Sequence, residues 1–232
     1  SCAETGEAWI AMLDSELNTI WEKSFNIGGN SSVQSMTSLG KEGFLMAGFT
    51  KIDHFNNLNA WFAYADWSGN IIWSKMYNLL YQDKATTILS LGEKGAIVAG
   101  HSLSSNLNKS IAWILKINKK GEIEWQKTFE TVNGMNVINK IIKTASNDLI
   151  AVGHTNAKGA GWQDGWIVKI DEEGELVWEK TLGGPNRDIF TSILEKDGFY
   201  ILAGSTSNVN ENMNEDGWIV KIDEEGELVW EK

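Results

Sequence analysis

The chain has 232 residues, 42% of them hydrophobic, which is enough to bury a sizeable core. Its formal net charge of −11, with no basic run, argues against a nucleic-acid partner, and no apolar stretch approaches the roughly 20 residues of a membrane-spanning helix. One cysteine, Cys2, leaves neither an internal disulfide nor a cysteine-type zinc cluster.

The polar start, residues 1–7, reads as an N-terminal tail, and residues 8–232 as a single domain. The opening Ser1-Cys2 followed by a polar run resembles the end of a bacterial lipoprotein signal, in which the cysteine carries lipid. Otherwise it is an ordinary N-terminal residue or an expression remnant.

From Ala8 onward the chain repeats. The stretch Asp164–Lys180, DGWIVKIDEEGELVWEK, returns letter for letter at Asp216–Lys232, and weaker copies occupy Ala8–Lys23, Ala60–Lys75 and Ala112–Lys127. Their first tryptophans are Trp9, Trp61, Trp113, Trp166 and Trp218, so the period is about 52 residues. Their second tryptophans are Trp21, Trp73, Trp125, Trp178 and Trp230. Ten of the 12 tryptophans are thereby used, leaving Trp67 and Trp162.

Each copy reads as two strands around a tight turn. Trp166, Val168 and Ile170 alternate with Ile167 and Lys169, Gly174 is free to take positive φ, and no helical period is present. Between these hairpins lie four others. They begin at Val33, Ala85, Val137 and Ile189 and close with Gly48, Gly100, Gly153 and Gly204. A glycine there implies a close backbone approach or a bend.

One repeat thus holds four antiparallel strands, the pattern of a β-propeller blade. Over Ala8–Lys232 the chain resembles secreted and surface-attached bacterial and archaeal propellers built from tandem WxxKxDxxGxxxW repeats. The D-x-x-G-x-x-x-W turn is similar to the tryptophan motif of quinoprotein propellers, and the strand order to kelch repeats. The resemblance implies an all-β propeller, with Ile189–Glu195 innermost, then Phe199–Gly204, Trp218–Asp223 and Glu227–Lys232. Five outer hairpins against four inner ones imply five blade positions, one incomplete; the alternatives are four blades and a spare hairpin, or a piece of a longer array.

The long connections are Phe49–Asn59, His101–Ser110, His154–Gln163 and Ser205–Glu215, with a second set at Asn26–Ser32, Tyr77–Lys84, Glu130–Asn136 and Gly183–Arg187. A meander brings both sets to one end of the strands, where binding residues usually sit. The candidate ligand-binding residues there are Phe49, His101, His154 and Ser205, which share one repeat position, and Trp162, able to stack on a sugar or a partner. No third metal ligand joins His101 and His154 at that position, and His54 lies five residues further along its own loop. Asn208, Asn210, Asn212, Asn214 and Asp216 have calcium-loop spacing but too few carboxylates. Arg187 and Asp188 read as a local ion pair.

No nucleophile elbow, HExxH or P-loop occurs, and no Ser-His-Asp set is assignable by spacing, so neither a catalytic residue nor a cofactor or metal is expected. A quinoprotein enzyme would ordinarily bring a larger ring and a vicinal cysteine pair. The expected function is a non-catalytic, exported or cell-surface scaffold binding a protein or carbohydrate through the variable loops. Self-association through an incomplete blade is a further expectation. The alternatives are a propeller hydrolase or oxidoreductase with its site at the channel mouth, and a purely architectural module of a surface array.

Overall fold

The computed structural model describes residues 6–51, 57–105, 109–132, 134–207 and 215–232. Among them there is no α-helix; 18 strands and one 3₁₀ turn at Gly92–Lys94 make up the regular structure. No described helix is long and apolar enough to cross a membrane. The chain forms two compact units, one of Ser1–Ser105 with Leu115–Glu124, the other of Asn106–Ile114 with Trp125–Lys232.

In the first unit the hairpin β1 (Ala8–Leu13) and β2 (Thr19–Phe25) is followed by an antiparallel sheet. Its strands, in order, are β3 (Asn30–Ser38), β4 (Phe44–Lys51), β5 (Leu58–Ala65) and β6 (Ile71–Tyr77). Next comes the hairpin β7 (Gln82–Ser90) and β8 (Ala96–Leu103), with β7 packed against β3, β4 and β5. Strands β9 (Lys109–Ile117) and β10 (Ile123–Phe129) pair with each other, and the division between the units passes through both.

The second unit holds two full sheets. The first is β11 (Gly134–Lys143), β12 (Leu149–Thr155), β13 (Asp164–Ile170) and β14 (Leu176–Leu182). The second is β15 (Asp188–Lys196), β16 (Phe199–Ser207), β17 (Glu215–Ile222) and β18 (Leu228–Glu231). In both, the strands pair antiparallel in chain order, as a four-stranded meander. Gly6 is tied to β3, since its N–H donates to Asn30 Oδ1 at 2.8 Å and its carbonyl accepts the Ser31 N–H. Cys2 and His54 lie outside the described residues, as do Asn208–Asn214.

Two local devices recur. Each of the hairpins β3–β4, β7–β8, β11–β12 and β15–β16 carries a β-bulge, with Gln34, Thr86, Asn139 and Thr191 as the extra residues. Opposite three of these bulges, a Cβ on Gly48, Gly153 or Gly204 would overlap the carbonyls of Ser32, Val137 and Ile189. Close approach is thus the reason for the glycine.

The second device joins successive repeats. Trp21, Trp73, Trp125 and Trp178 lie against the turn glycines Gly69, Gly121, Gly174 and Gly226, where an added Cβ would come within 2.8–3.2 Å of the indole. Trp21, Trp73 and Trp178 also donate Nε1–H to the carbonyls of Trp67, Lys119 and Glu224, at 3.1, 2.9 and 3.1 Å. Each receiving turn is closed by its first side chain: Asp66, Asn118, Asp171 and Asp223 accept the N–H four residues on. A short apolar strand, a capped turn and one indole reaching forward thus make a self-propagating unit.

Burial follows this stacking. Strand β13 is buried on both faces rather than alternating, so the in-out pattern expected for Trp166–Ile170 is not realised. A sheet covered on both sides needs apolar residues in both registers. Trp61, Trp113, Trp166 and Trp218 are buried, whereas Trp9, at the same repeat position, is 59% exposed. Trp67 folds back onto its own sheet, with Nε1–H donated to the Gly40 carbonyl at 2.9 Å and its ring 5.6 Å from Phe44.

Candidate functional site

The strands outrun the loop boundaries read from sequence. Phe49, His101, His154 and Ser205 lie in β4, β8, β12 and β16, paired opposite Ser32, Lys84, Val137 and Ile189. They are rim residues of the sheets rather than loop residues, because the ladder continues two or three residues past each glycine. In the first unit Phe49 and His101 are half-buried, and the Lys84 ammonium lies 5.2 Å from the Phe49 ring.

The loops beside these residues are fixed by buried carboxylates that open the following strand. Asp83 accepts the N–H groups of Leu79 and Leu80, both at 3.1 Å, and the Ser102 hydroxyl. Asp164 accepts from Ala160 and Gly161, at 3.1 Å each, and Asp188 from Gly184 at 2.8 Å. Burial pushes the Asp83 carboxyl above the usual carboxylate range, with its three hydrogen-bond donors opposing the shift. Burial, then the charge of Asp83, drives the Tyr77 hydroxyl up to about 12.

The second unit assembles the most developed polar cluster. Three segments, Asn156–Gln163, Gly183–Arg187 and the end of β16, are laced together by backbone. Gln163 N–H donates to the Asn186 carbonyl at 3.0 Å, Asp188 N–H to the Gln163 carbonyl at 2.7 Å, and Ser207 N–H to the Arg187 carbonyl at 2.9 Å. Arg187 is the centre. Its Nε–H donates to Gln163 Oε1 at 2.9 Å and its Nη1 pairs with Glu215, not with Asp188 as its neighbour in sequence suggested. Asp188 is instead buried and spent on capping Gly184.

Trp162 stands between two residues that both touch the Gly183–Arg187 segment, and it is 67% exposed. His154 sits at the rim of the same cluster. Burial, assisted by the Arg187 charge, lowers its pKa to about 4, and its Nδ1 is buried without a protein hydrogen-bond partner. The imidazole is therefore neutral near neutral pH and is poorly suited to proton transfer there. Among the described residues no group of three or more His, Cys, Asp or Glu is placed to hold a metal ion.

The cluster thus presents an exposed indole at Trp162, one residue before the Gln163 that together with Glu215 holds the Arg187 guanidinium. Sequence reading named Trp162 and His154 as candidates but not Gln163 and Glu215, which carry no motif and become visible only through their shared contact with Arg187. An apolar pocket of about 220 Å³, lined by Ile10, Trp21, Met36, Phe44 and Trp67 among others, lies at the short-turn end of the first unit.

No protein-family model matches the chain, and no curated protein does. Among solved structures it is similar to Sqt1 from Chaetomium thermophilum, at a TM-score of 0.46 and 11% identity over 95% of this chain and 46% of that one. It is also similar to a eukaryotic initiation factor, at a TM-score of 0.41 and 8% identity over 97% of this chain and 60% of that one. The chain thus spans less than two thirds of either, and likenesses this distant assign neither a family nor a function.

Proposed function

We propose that this chain is a propeller-type binding scaffold, with four-stranded blades as the frame and the inter-hairpin loops as the recognition surface for a protein or carbohydrate. The observation that carries this reading is the exposed Trp162 on the loop whose next residue, Gln163, holds Arg187. The frame repeats its chemistry from sheet to sheet, whereas these loops differ in every repeat, so they alone distinguish one ligand from another. A neutral, buried-edged His154 fits a binding rim better than a catalytic acid or base.

The test is a glycan-array and peptide-array screen of the chain beside Trp162→Ala, Arg187→Ala and the short-turn double variant Glu172→Ala/Glu173→Ala. Binding lost in the loop variants and kept in the turn variant supports the reading. Binding lost only in the turn variant places recognition at the other end of the strands and overturns it.

A second reading, an architectural array module, is favoured by the identical copies Asp164–Lys180 and Asp216–Lys232 and by the way each indole docks on the next turn. Export to the cell surface, through Cys2 or otherwise, belongs to both readings as a proposal.

A further inference from the structure

One tryptophan of the repeat series keeps a buried donor without an acceptor. In the fourth repeat Trp166 donates Nε1–H to Glu179 Oε1 at 2.6 Å, and in the fifth Trp218 donates to Glu231 Oε2 at 3.2 Å. The acceptor stands 13 residues after the tryptophan in both. The residue at that spacing is Glu22 in the first repeat and Gln126 in the third, each with a side chain long enough to accept. In the second repeat it is Ser74. Trp61 is 0% exposed there, and its Nε1 is buried with no protein hydrogen-bond partner. A buried N–H in that condition costs free energy that an acceptor offsets.

The strand register shows that the difference lies in the side chains and not in the backbone. Ser74 stands opposite Ala63, as Glu179 stands opposite Val168 and Glu231 opposite Val220. Two positions on, Met76 stands opposite Trp61 where Thr181 stands opposite Trp166. The Trp61 ring is fixed in one core cluster with Ala8, Ile10, Phe25, Phe44 and Met46, so the direction of its N–H is set. Ser74 and Met76, by contrast, are exposed. Met76 Cε comes within 3.1 Å of where a Cβ on Gly28 would lie, so the thioether reaches from β6 to the backbone at Gly28. Unbranched and flexible, it can move aside without disturbing the ladder.

We infer that the slot bounded by Trp61, Ser74 and Met76 binds a carboxylate from outside the chain, which accepts the indole N–H as the Glu179 carboxylate does in the fourth repeat. The ligand class follows from that internal precedent: the same atom on the same strand pair donates to a carboxylate in two other repeats. The group needs the slender reach of a glutamate side chain, since it must pass Ser74 and Met76 to meet a buried atom. The site lies within the first unit and shares no residue with the Arg187 cluster, so it is independent of the loop-binding reading.

Indole ¹H–¹⁵N correlation spectra of the 232-residue chain test it, with propionate, the outer part of a glutamate side chain, as the probe. The assigned Trp61 indole signal is expected to move downfield and saturate with propionate, and to stay in place with chloride at equal ionic strength. Ser74→Glu supplies the acceptor from within, at an exposed position that tolerates the change. Its Trp61 signal is expected to start at the propionate-saturated position and to respond no further. Met76→Thr installs the residue type found opposite Trp166 and is expected to saturate at lower propionate concentration. A short peptide bearing one glutamate separates the sources: tighter binding of propionate assigns the site to a free carboxylate, tighter binding of the peptide to an acidic chain of a partner. Three outcomes overturn the inference: a wild-type signal that propionate leaves in place, one that chloride moves equally, and a Ser74→Glu signal that keeps the wild-type position. The last would mean that the indole N–H points away from the slot.

Discussion

Trp178 donates its Nε1–H to the carbonyl of Glu224, 46 positions ahead, and rests its ring on Gly226. The contact recurs at Trp21 and Trp73 with the same separation. It converts a sequence period into a spatial one: the turn of each repeat must offer a bare backbone because the previous repeat's indole occupies the room of a side chain. Glycine at these turns therefore answers two demands, positive φ and an absent Cβ, and the two are separable.

Gly121→Ala and Gly40→Ala separate them. Both glycines adopt left-handed φ, 73° and 62°, but an added Cβ meets the Trp73 ring at 2.8 Å in the first case and open space in the second. Left-handed backbone costs a non-glycine residue about 1–2 kcal/mol, which both variants share. Gly121→Ala is expected to lose about 1–3 kcal/mol more through displacement of the packed indole, on the scale of overpacking. Urea denaturation followed by tryptophan fluorescence measures the gap, and equal losses would show that the indole yields freely.

The identical 17-residue copies form an internal control for packing. Ile167 is fully buried and Ile219 is 47% exposed, although their sequence neighbours from Asp164 and Asp216 onward are the same. Ile167→Ala is expected to cost about 2–5 kcal/mol as a cavity in a covered face, and Ile219→Ala within about 0.5 kcal/mol at low protein concentration. For the same reason Trp113→Ala should cost about 3–5 kcal/mol and Trp230→Ala distinctly less. Denaturant midpoints read both comparisons; equal losses at Ile167 and Ile219 would mean that the last sheet is covered in solution.

This control also shows how far the sequence could be read. Strand identity, hairpin order and the glycines of the bulges and turns follow from a strict period. Every copy solves the same local problem, so one reading serves for all. Burial did not follow, because Asp164–Lys180 and Asp216–Lys232 share a sequence and differ only in what lies beyond them. The loop cluster was legible in part. Trp162 stood out as a tryptophan without a repeat position, but Arg187 was assigned to its neighbour Asp188, and its actual partners Gln163 and Glu215 come from distant segments. Non-periodic contacts of that kind leave no trace in spacing.

The proposed function assigns the Arg187 cluster to recognition rather than stability, and that distinction is measurable. Arg187 and Glu215 are both partly exposed, so their ion pair contributes about 0–1 kcal/mol. Trp162→Ala and Arg187→Ala are each expected to leave thermal stability within about 1 kcal/mol of the wild type. Each should nonetheless weaken a bound ligand roughly tenfold or more, as removal of an aromatic or arginine anchor does. Melting curves beside binding titrations decide this. A large stability loss for Trp162→Ala would make the indole a structural cap and withdraw it from the site.

The last expectation concerns pH and His154. Burial first, and the Arg187 charge second, hold its folded pKa at about 4, against 6.5 for an unperturbed imidazole. The unfolded chain therefore binds a proton at pH values where the folded chain does not. The contribution is fully present above pH 6.5 and is lost as pH falls toward 4. Each unit of difference corresponds to about 1.4 kcal/mol, so the total loss over this window is at most about 3 kcal/mol, reduced where the rim of the ring meets water. Other carboxylates titrate in the same range, so the measurement is the difference between wild type and His154→Gln, followed by denaturant unfolding across it. The wild type should lose stability faster on acidification, the curves converging above pH 6.5 in slope. Arg187→Gln removes the second cause and should move the His154 midpoint, read from its ring proton shifts, upward without restoring it fully. A wild-type midpoint at the ordinary imidazole value would show that water reaches the ring, and His154 would then be free to titrate at the binding rim.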